Sequence, residues 1–184
     1  MIYFVRHGST DWNEHKNSLG VRDPKCQGHA DIELNELGKK QATETAQSLK
    51  GIEFDRVICS PLKRAKQTLD IIYTGDTPIE IDERVKERDF GEFEGLTRTE
   101  FDFNGFWEVT ANQKFESAEG LEDFKARVFS LLDELKQNPN QKVLIVSHGG
   151  VGCVVQSYFK GVPTNGNFIK SYEVPHGKPL ILEF

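Results

Sequence analysis

The segment MIYFVRHG, residues 1–8, places an apolar, aromatic and β-branched run directly before Arg6, His7 and Gly8. Such a run is typical of a buried strand, and the polar residues from Gly8 onward predict that the strand ends there. Successive side chains of a strand point to opposite faces, so Arg6 and His7 can line one pocket only if the chain is already turning. Gly8 permits that turn and exposes amide donors to an anion.

A second histidine occupies the same kind of position further along the chain. Residues 142–147 form the clearest buried strand, and His148, Gly149 and Gly150 follow it directly. A helix is predicted over residues 151–159. The two histidines are therefore both expected at the carboxyl ends of strands.

An arginine is predicted at a third strand end. Residues 54–59 are another short apolar run, and Ser60 and Pro61 then open a helix. Ser60 is expected to cap this helix and Pro61 to occupy its first position. Arg64 then lies in the first turn, where the helix dipole and the side chain favour the same anion.

The remaining periodicities predict further elements of both kinds. One helix is predicted to begin after the cap Asn35 and to stop at Gly51, with apolar residues at helical spacing, namely Leu37, Ala42, Ala46 and Leu49. A second helix is predicted over residues 121–136, with one apolar side formed by Phe124, Val128, Leu131, Leu132 and Leu135. Strands are predicted over residues 78–81, 168–174 and 180–184. The last two are expected to form a hairpin through the turn at 175–179. Gly91 and Gly95 indicate an irregular acidic loop.

The alternation of strands and helices predicts an α/β fold of one domain, residues 1–184. We expect a three-layer α/β/α sandwich whose mainly parallel sheet carries the C-terminal hairpin as an antiparallel edge. In open sheets of this kind, ligands bind beyond the carboxyl ends of the strands. His7, Arg64 and His148 are all expected at that edge.

Composition excludes several functional classes. The chain has 184 residues, 37% of them hydrophobic, and a net charge of −6 without a long basic run, so we expect neither a nucleic-acid partner nor a membrane partner. Residues 1–5 lack the basic leader of a signal peptide, which predicts a cytoplasmic protein. Cys26, Cys59 and Cys153 are widely spaced and odd in number, so free thiols are expected, with Cys59 and Cys153 in the core.

The residues at the predicted edge suit phosphoryl transfer. That chemistry needs a nucleophile in line with phosphorus, donors around the non-bridging oxygens and an acid for the leaving oxygen. A neutral imidazole is a competent nucleophile near neutral pH, and the planar fork of arginine holds two phosphate oxygens at once. His7 and Arg6 could divide those tasks.

Short motifs in a characteristic order run along almost the whole chain. They are FVRHGST (4–10) with DWN (11–13), QG (27–28) followed by Asp31, residues 34–38 with Gln41 and Ala42, SPLKRA (60–65), Glu87 within residues 84–95, and SHGG (147–150). In these motifs the chain resembles the histidine phosphatase superfamily, which includes cofactor-dependent phosphoglycerate mutases and many small phosphatases.

The resemblance implies a role for each matched residue. His7 would become a phosphohistidine, Arg6, Arg64 and His148 would grip the transferred group, and Glu87 would donate and accept the proton. Contacts with substrate are implied for Asn13, Gln27, Gly28 and Gly149, and neither a metal nor another cofactor is needed. Spacing alone does not choose Glu87 from its acidic neighbours, which are Glu83, Asp89, Glu92 and Glu94.

Three features depart from the family pattern or stay open. The connection at residues 14–26 is long and contains Lys16, Arg22 and Lys25; it is either a mobile surface loop or an element that recognises an anionic or extended substrate. Residues 118–120 replace the usual Gly-Glu-Ser, so a helix-cap contact is expected to be lost. Phe101, Phe103, Phe106 and Trp107 form either an apolar wall over the substrate or ordinary packing. His15, His29 and His176 are expected to be solvated.

The segment between Gly95 and Glu119 is short compared with the lid insertions of the mutases in this family, so the resemblance implies hydrolysis by water rather than return of the phosphate to the product. The leading prediction is therefore a metal-independent phosphatase that acts on a small phosphorylated metabolite through phospho-His7. A phosphoglycerate mutase, a phosphatase of protein phosphohistidine and, from another class, a non-catalytic module that binds phosphorylated ligands are the alternatives. A homodimer is possible.

Overall fold

The computed structural model describes residues 1–110, 115–172 and 174–184. Within these residues a five-stranded sheet has the order β3-β2-β4-β1-β5. Its strands are β1 (Ile2–Arg6), β2 (Arg56–Cys59), β3 (Ile79–Ile81), β4 (Val143–Ser147) and β5 (Leu180–Leu182). The helices are α1 (Glu36–Leu49), α2 (Lys63–Ile72), α3 (Phe103–Phe106), α4 (Leu121–Lys136) and α5 (Gly149–Lys160). Short 3₁₀ turns occur at Glu83–Val85, Gly91–Phe93 and Phe168–Lys170.

The pairing register brings three strand ends to one edge of the sheet. Parallel β1 and β4 align Arg6 with Ser147, and parallel β2 and β4 align Cys59 with Val146. The residue after β1 is His7, and the residue after β4 is His148. Parallel pairing therefore places the two histidines side by side before any side-chain contact is considered.

Each face of the sheet is covered by its own hydrophobic core. Tyr3 and Val5 of β1 belong to a cluster that contains residues of α1 and α2, whereas Ile2 and Phe4 belong to a cluster that contains residues of α4 and α5. The alternation of side chains along β1 thus supplies both cores. The predicted three-layer α/β/α sandwich with a mainly parallel sheet is confirmed.

The predicted C-terminal hairpin is wrong. Phe168–Lys170 forms a 3₁₀ turn, and β5 pairs antiparallel with β1 rather than with a neighbouring hairpin strand. Phe168 is completely buried, and its backbone N–H donates to the carbonyl of Trp107 at 2.7 Å. The aromatic character of this segment therefore reflects packing on the core and not a strand; Glu173, within the predicted strand, lies outside the described residues.

Several element boundaries and faces differ from the predictions. Helix α2 begins at Lys63 with Leu62 as its N-cap residue and no side-chain cap, so Ser60 and Pro61 lie before the helix, and the Ser60 hydroxyl contacts the Leu62 N–H and His148 instead. Helix α5 begins at Gly149, two residues earlier than predicted. In α1 the Asn35 side chain caps as expected, but Leu37 is 44% exposed. Gly120 is the N-cap residue of α4 and provides no side-chain cap, as expected from residues 118–120.

The three cysteines are free, as predicted, and the predicted burial of Cys59 and Cys153 extends to Cys26. Burial raises the pKa of the Cys26, Cys59 and Cys153 thiols to about 12, so they stay protonated at neutral pH. Across the described ranges, no helix is both long and apolar enough to cross a membrane.

Candidate active site

A cavity of about 250 Å³ opens at the carboxyl edge of the sheet. Every predicted site residue except His148 lines it, and His148 lies directly behind His7, with ring centroids 5.2 Å apart. The lining includes Arg6, His7, Asn13, Gln27, Gly28, Arg64, Glu87 and Gly149. The structure therefore brings together residues that are up to 143 positions apart in the chain, such as Arg6 of the RHG motif and Gly149 of the SHGG motif.

The contacts of the His7 ring determine which of its nitrogens carries the proton and which carries the lone pair. Its Nδ1 lies 2.7 Å from the carbonyl oxygen of Gly8, which can only accept, so Nδ1 carries the proton. The lone pair is then on Nε2, which accepts the Nε–H of Arg64 at 3.3 Å. Burial, followed by the charges of Arg64 and Arg6, holds the pKa of His7 well below its usual value, so the imidazole is neutral.

Arg64 is fixed by carbonyl groups and not by a carboxylate. Its Nη1 donates to Ala30 at 2.8 Å and its Nη2 to Gly28 at 2.7 Å. Burial lowers the pKa of Arg64 to about 10, so the group keeps its charge at neutral pH. Because two carbonyls and His7 use three of its five N–H groups, the remaining two are available to an anion.

Arg6 is the last residue of β1, and its side chain is held by other partners than that of Arg64. Its Nη1 donates to the carbonyl of Val174 at 3.0 Å, and its guanidinium lies against Gly149. Within the described part of the chain, its buried Nε has no hydrogen-bond partner. Burial lowers the pKa of Arg6 to about 10. A bound anion would supply the acceptor that this donor lacks.

His148 lies at the N-cap of α5 and is completely buried. Its Nε2 lies 2.7 Å from the Ser60 hydroxyl, and its Nδ1 has no partner among the residues described. Burial, then the charges of Arg64 and His7, holds its pKa well below the usual value. The site therefore contains two neutral imidazoles beside two arginines.

Glu87 is separated from its acidic neighbours by its position. Its Oε1 accepts the backbone N–H of Arg88 at 2.9 Å, and its Oε2 accepts that of Gly150 at 3.0 Å. It lines the cavity, whereas Glu83, Asp89, Glu92 and Glu94 do not. The tertiary structure thus selects the carboxylate that spacing alone left open.

The predicted substrate-contact residues are placed for different tasks. The Oδ1 of Asn13 accepts from the backbone and hydroxyl of Thr10 at 3.0 and 3.1 Å, which leaves its amide N–H groups for the cavity. The side-chain oxygen of Gln27 is buried and unpartnered within the described residues. Gly28 has a φ of +45° and gives its carbonyl to Arg64.

The expectation that His176 is solvated is wrong. Its Nδ1 donates to the backbone carbonyl of His7 at 2.8 Å, and the two rings lie 6.0 Å apart. Burial, followed by the charge of Arg6, lowers its pKa to about 4. Its place in a Pro- and Gly-rich turn gave no signal of this contact. His15 and His29 are likewise half-buried, and each contacts a backbone carbonyl.

The aromatic residues after Gly95 serve both purposes that the sequence left open. Phe103 and Trp107 line the cavity, whereas Phe101 and Phe106 pack against Phe93 with centroids 4.6 and 5.9 Å away. Trp107 is 2% exposed, and its indole N–H has no partner in the described ranges. It is therefore a donor at the wall of the cavity.

The long connection at residues 14–26 reaches the cavity only at its end. Lys25 and Cys26 are lining residues, but Lys16 and Arg22 form an isolated bridge away from the cavity. Leu19, between them, is 84% exposed. Arg98 and Lys170 add two further cations to the lining. Among the described residues that line the cavity, Glu87 is the single acidic one. The cavity is strongly basic although the whole chain is acidic.

Over residues 1–110, 115–172 and 174–184, no group of three or more His, Cys, Asp or Glu side chains is arranged to hold a metal ion. Metal-independent chemistry remains a prediction.

The buried neutral histidines should make the protein acid-sensitive. The ordinary pKa of histidine is about 6.5, and His7, His148 and His176 all have lower values in the folded state. Below pH 6.5 the unfolded chain therefore binds protons that the folded chain does not. Each such histidine lowers the free energy of unfolding by about 1.4 kcal/mol per pH unit until its folded pKa is reached.

We expect the melting temperature to be nearly constant from pH 8 to 7 and to fall steadily from pH 6.5 to 5, as measured by scanning calorimetry. His176→Asn removes one of the three groups and should make that fall shallower. An equal slope for this variant and the parent chain would contradict the assignment of His176 as a buried neutral group.

An α/β sheet with the buried Arg64, the half-buried Arg6 and two neutral histidines at its carboxyl edge is the arrangement of an enzyme that acts on a phosphate group. The model of the histidine phosphatase superfamily (branch 1) matches residues 2–176. The chain belongs to this superfamily, and the prediction of a phosphatase is confirmed at this level.

Individual relatives include both phosphatases and mutases. The uncharacterized phosphatase PhoE of Bacillus subtilis (strain 168) is 39% identical over 80% of this chain and 71% of its own length. The probable phosphoglycerate mutase GpmB of Cronobacter sakazakii is 30% identical over 88% of this chain and 75% of its own. The crystal structure of a phosphoserine phosphatase from Entamoeba histolytica, in complex with 3-phosphoglyceric acid, is similar with a TM-score of 0.75 at 32% identity, covering 97% of this chain and 87% of that one.

Proposed function

We propose that this protein is a metal-independent phosphomonoesterase that acts on a small phosphorylated metabolite through phospho-His7. The observation that carries the proposal is the orientation of the His7 ring: Nδ1 donates its proton to the Gly8 carbonyl, and Nε2 accepts the Nε–H of Arg64, which lines the cavity together with His7. A nucleophile needs this combination of neutral charge, fixed orientation and nearby cations.

In the first step, the Arg64 Nε–H leaves His7 Nε2, the freed Nε2 lone pair attacks phosphorus, and the phosphorus–oxygen bond to the alcohol breaks. Arg6, Arg64 and the backbone amides at the start of α5 stabilise the charge on the non-bridging oxygens. Glu87, in its protonated form, gives its proton to the leaving oxygen. The products of this step are the free alcohol, a phosphorylated His7 and the Glu87 carboxylate.

In the second step, water attacks phosphorus and loses a proton to the Glu87 carboxylate. The phosphorus–nitrogen bond breaks, the electron pair returns to Nε2, and inorganic phosphate leaves. Glu87 is again protonated, so the cycle closes without an external acid or base. His148 remains neutral beside His7 and is proposed to contact the phosphoryl group through its unpartnered Nδ1.

The basic lining supports a small anionic metabolite as the substrate. Lys25, Arg98 and Lys170 lie around the cavity in addition to the two arginines at the carboxyl edge of the sheet. A cavity of about 250 Å³ suits a compact molecule better than a protein segment. Lys25 is the residue through which the long connection at 14–26 would influence the choice of substrate.

A screen of purified protein against phosphorylated sugars, nucleotides, glycerate phosphates and cofactor precursors tests the proposal. We expect inorganic phosphate to be released from at least one small phosphomonoester at the same rate with and without EDTA. Absence of phosphate release across the panel, or a loss in EDTA that added metal restores, would contradict the mechanism.

A phosphoglycerate mutase is the second candidate, because a relative with that name matches most of the chain. The two activities are separated by supplying 3-phosphoglycerate with a catalytic amount of 2,3-bisphosphoglycerate. A mutase yields 2-phosphoglycerate in this assay, whereas the proposed hydrolase yields glycerate and inorganic phosphate. A protein that binds the same ligands without turnover or phosphoenzyme would be the non-catalytic module.

A further inference from the structure

Three consecutive residues, Gly28, His29 and Ala30, contact both Arg64 and Glu87. The carbonyl groups of Gly28 and Ala30 hold the guanidinium of Arg64, and the His29 side chain between them turns toward the backbone of Glu87. Its Nε2 lies 2.9 Å from the Glu87 carbonyl oxygen. One short segment therefore joins the proposed phosphate-binding arginine to the proposed acid.

His29 itself is held at three points. Because a carbonyl oxygen only accepts, the short contact with Glu87 places a proton on His29 Nε2. The other ring nitrogen lies 3.4 Å from the carboxylate of Asp89, and the backbone N–H donates to Glu94 at 2.5 Å. The ring is 30% exposed, so it is neither a core residue nor a free surface histidine.

The contact controls a particular peptide group. The Glu87 carbonyl and the Arg88 N–H belong to the same planar peptide unit, and that N–H donates to the Glu87 carboxylate at 2.9 Å. His29 and Arg127 hold the oxygen end of this unit, each at 2.9 Å. If the unit turns about its axis, the N–H that orients the carboxylate turns with it.

We propose that His29 is a positioning residue that orients the Glu87 carboxyl by holding the peptide between residues 87 and 88. The inference rests on the proposed function, in which Glu87 protonates the leaving oxygen. His29 does not touch the cavity itself, since it is absent from the lining residues, and it acts through Glu87. Without the His29 ring, Arg127 is the one described side chain that still donates to the carbonyl oxygen of this peptide.

The reaction offers a readout that depends on the acid. An alkyl phosphate has a basic leaving oxygen that needs a proton in the transition state, whereas p-nitrophenyl phosphate releases a stable anion that needs little help. A defect in Glu87 orientation should therefore affect the alkyl ester far more. A general loss of structure or of phosphate binding should affect both esters equally.

The experiment compares His29→Ala, His29→Gln and His15→Ala on glycerol phosphate and p-nitrophenyl phosphate. His15 is the matched control, because it is also half-buried in a loop and also contacts a backbone carbonyl, that of Asp23 at 2.8 Å. For His29→Ala we expect kcat/KM on glycerol phosphate to fall about 10- to 100-fold, with a loss on p-nitrophenyl phosphate at least tenfold smaller. His29→Gln retains an N–H at similar reach and should recover most of the loss.

Equal losses on both esters, or a His15→Ala variant with the same selective defect, would overturn the inference. Glu87→Gln in the same assay separates this result from a failure of the proposed function: a selective loss in Glu87→Gln without one in His29→Ala sinks only the role of His29. If Glu87→Gln shows no selective loss, Glu87 is not the acid and both proposals fail.

A measurement that does not need turnover gives an independent check. The Gly150 N–H donates to Glu87 at 3.0 Å, and it lies in the first turn of α5, where the helix itself supplies no acceptor. Hydrogen exchange at Gly150 should therefore become at least tenfold faster in His29→Ala and stay unchanged in His15→Ala. Unchanged protection in His29→Ala would show that the carboxylate keeps its place without His29.

Discussion

Replacement of His7 by alanine is expected to lower kcat for p-nitrophenyl phosphate by about 10⁴-fold or more. The variant loses the nucleophile, and water must then attack phosphorus directly in a site arranged for attack from Nε2. Arg64 is also held by the carbonyls of Gly28 and Ala30, so we expect it to stay in place when the His7 ring is removed. The measurement is steady-state hydrolysis, together with trapping of an acid-labile phosphoenzyme in the parent chain.

His15→Ala is the control for this prediction, because His15 lies outside the cavity. This variant should hydrolyse the same ester at a rate within about twofold of the parent rate. Substantial turnover by His7→Ala, or a phosphoenzyme that survives in that variant, would assign the nucleophile to another residue. A stable fold for His7→Ala is checked by its melting temperature at pH 7.5, where the buried histidines are uncharged in both states.

Substitution of Arg64 by lysine is expected to lower kcat/KM by about 10²- to 10³-fold, even though the charge is retained. A lysine ammonium is a single point of charge and cannot hold two carbonyls, the His7 ring and two phosphate oxygens at once. Arg64 is completely buried and fixed by Gly28 and Ala30, so its orientation is set before a substrate arrives. The effect is measured on the same aryl ester and by the affinity for orthovanadate.

The neighbouring Lys63→Ala variant serves as a control, since Lys63 is half-exposed and pairs with Glu33 at 3.3 Å outside the cavity. We expect its kcat/KM to stay within about twofold of the parent value. A fully active Arg64→Lys protein would mean that charge alone, without the planar fork, meets the demand of the transition state.

The local electrostatics explain how an acidic protein can hold a phosphate dianion. The net charge of −6 is spread over surface carboxylates, many of which pair with surface arginines such as Arg56 and Arg84. Arg6 and Arg64 instead donate to backbone carbonyls, and the opposing charge that acts most strongly on both is the Glu87 carboxylate inside the same cavity. In a site of low dielectric, such charges act strongly on a bound anion.

Much of the candidate site was accessible from sequence because it is built on strand ends. A buried apolar run followed by a polar break is a local pattern, and parallel pairing places such breaks at one edge whatever the loops do. His7, Arg64 and His148 could be placed together on these grounds. The role of Glu87 depended on resemblance, because its segment is irregular and holds several carboxylates.

The errors have a common cause. The segment at 168–174 has strand-like composition, but its aromatic residues pack against the core around Trp107, and tertiary packing overrides local propensity. A turn rich in Pro and Gly predicts an exposed side chain for His176, yet this turn folds back so that the His176 ring contacts the His7 backbone. His29 and Ala30 likewise gave no local signal of their contacts with Glu87 and Arg64.

The sequence by itself determined the alternating α/β order, the burial of β1 and the position of His7 at the end of that strand, because each follows from periodicity or from residues adjacent in the chain. Only the tertiary structure decided which carboxylate enters the cavity, which nitrogen of His7 carries the lone pair and which loop residues contact Glu87 and Arg64. Those features depend on side chains from distant segments meeting within hydrogen-bond distance, and no local pattern encodes such a distance.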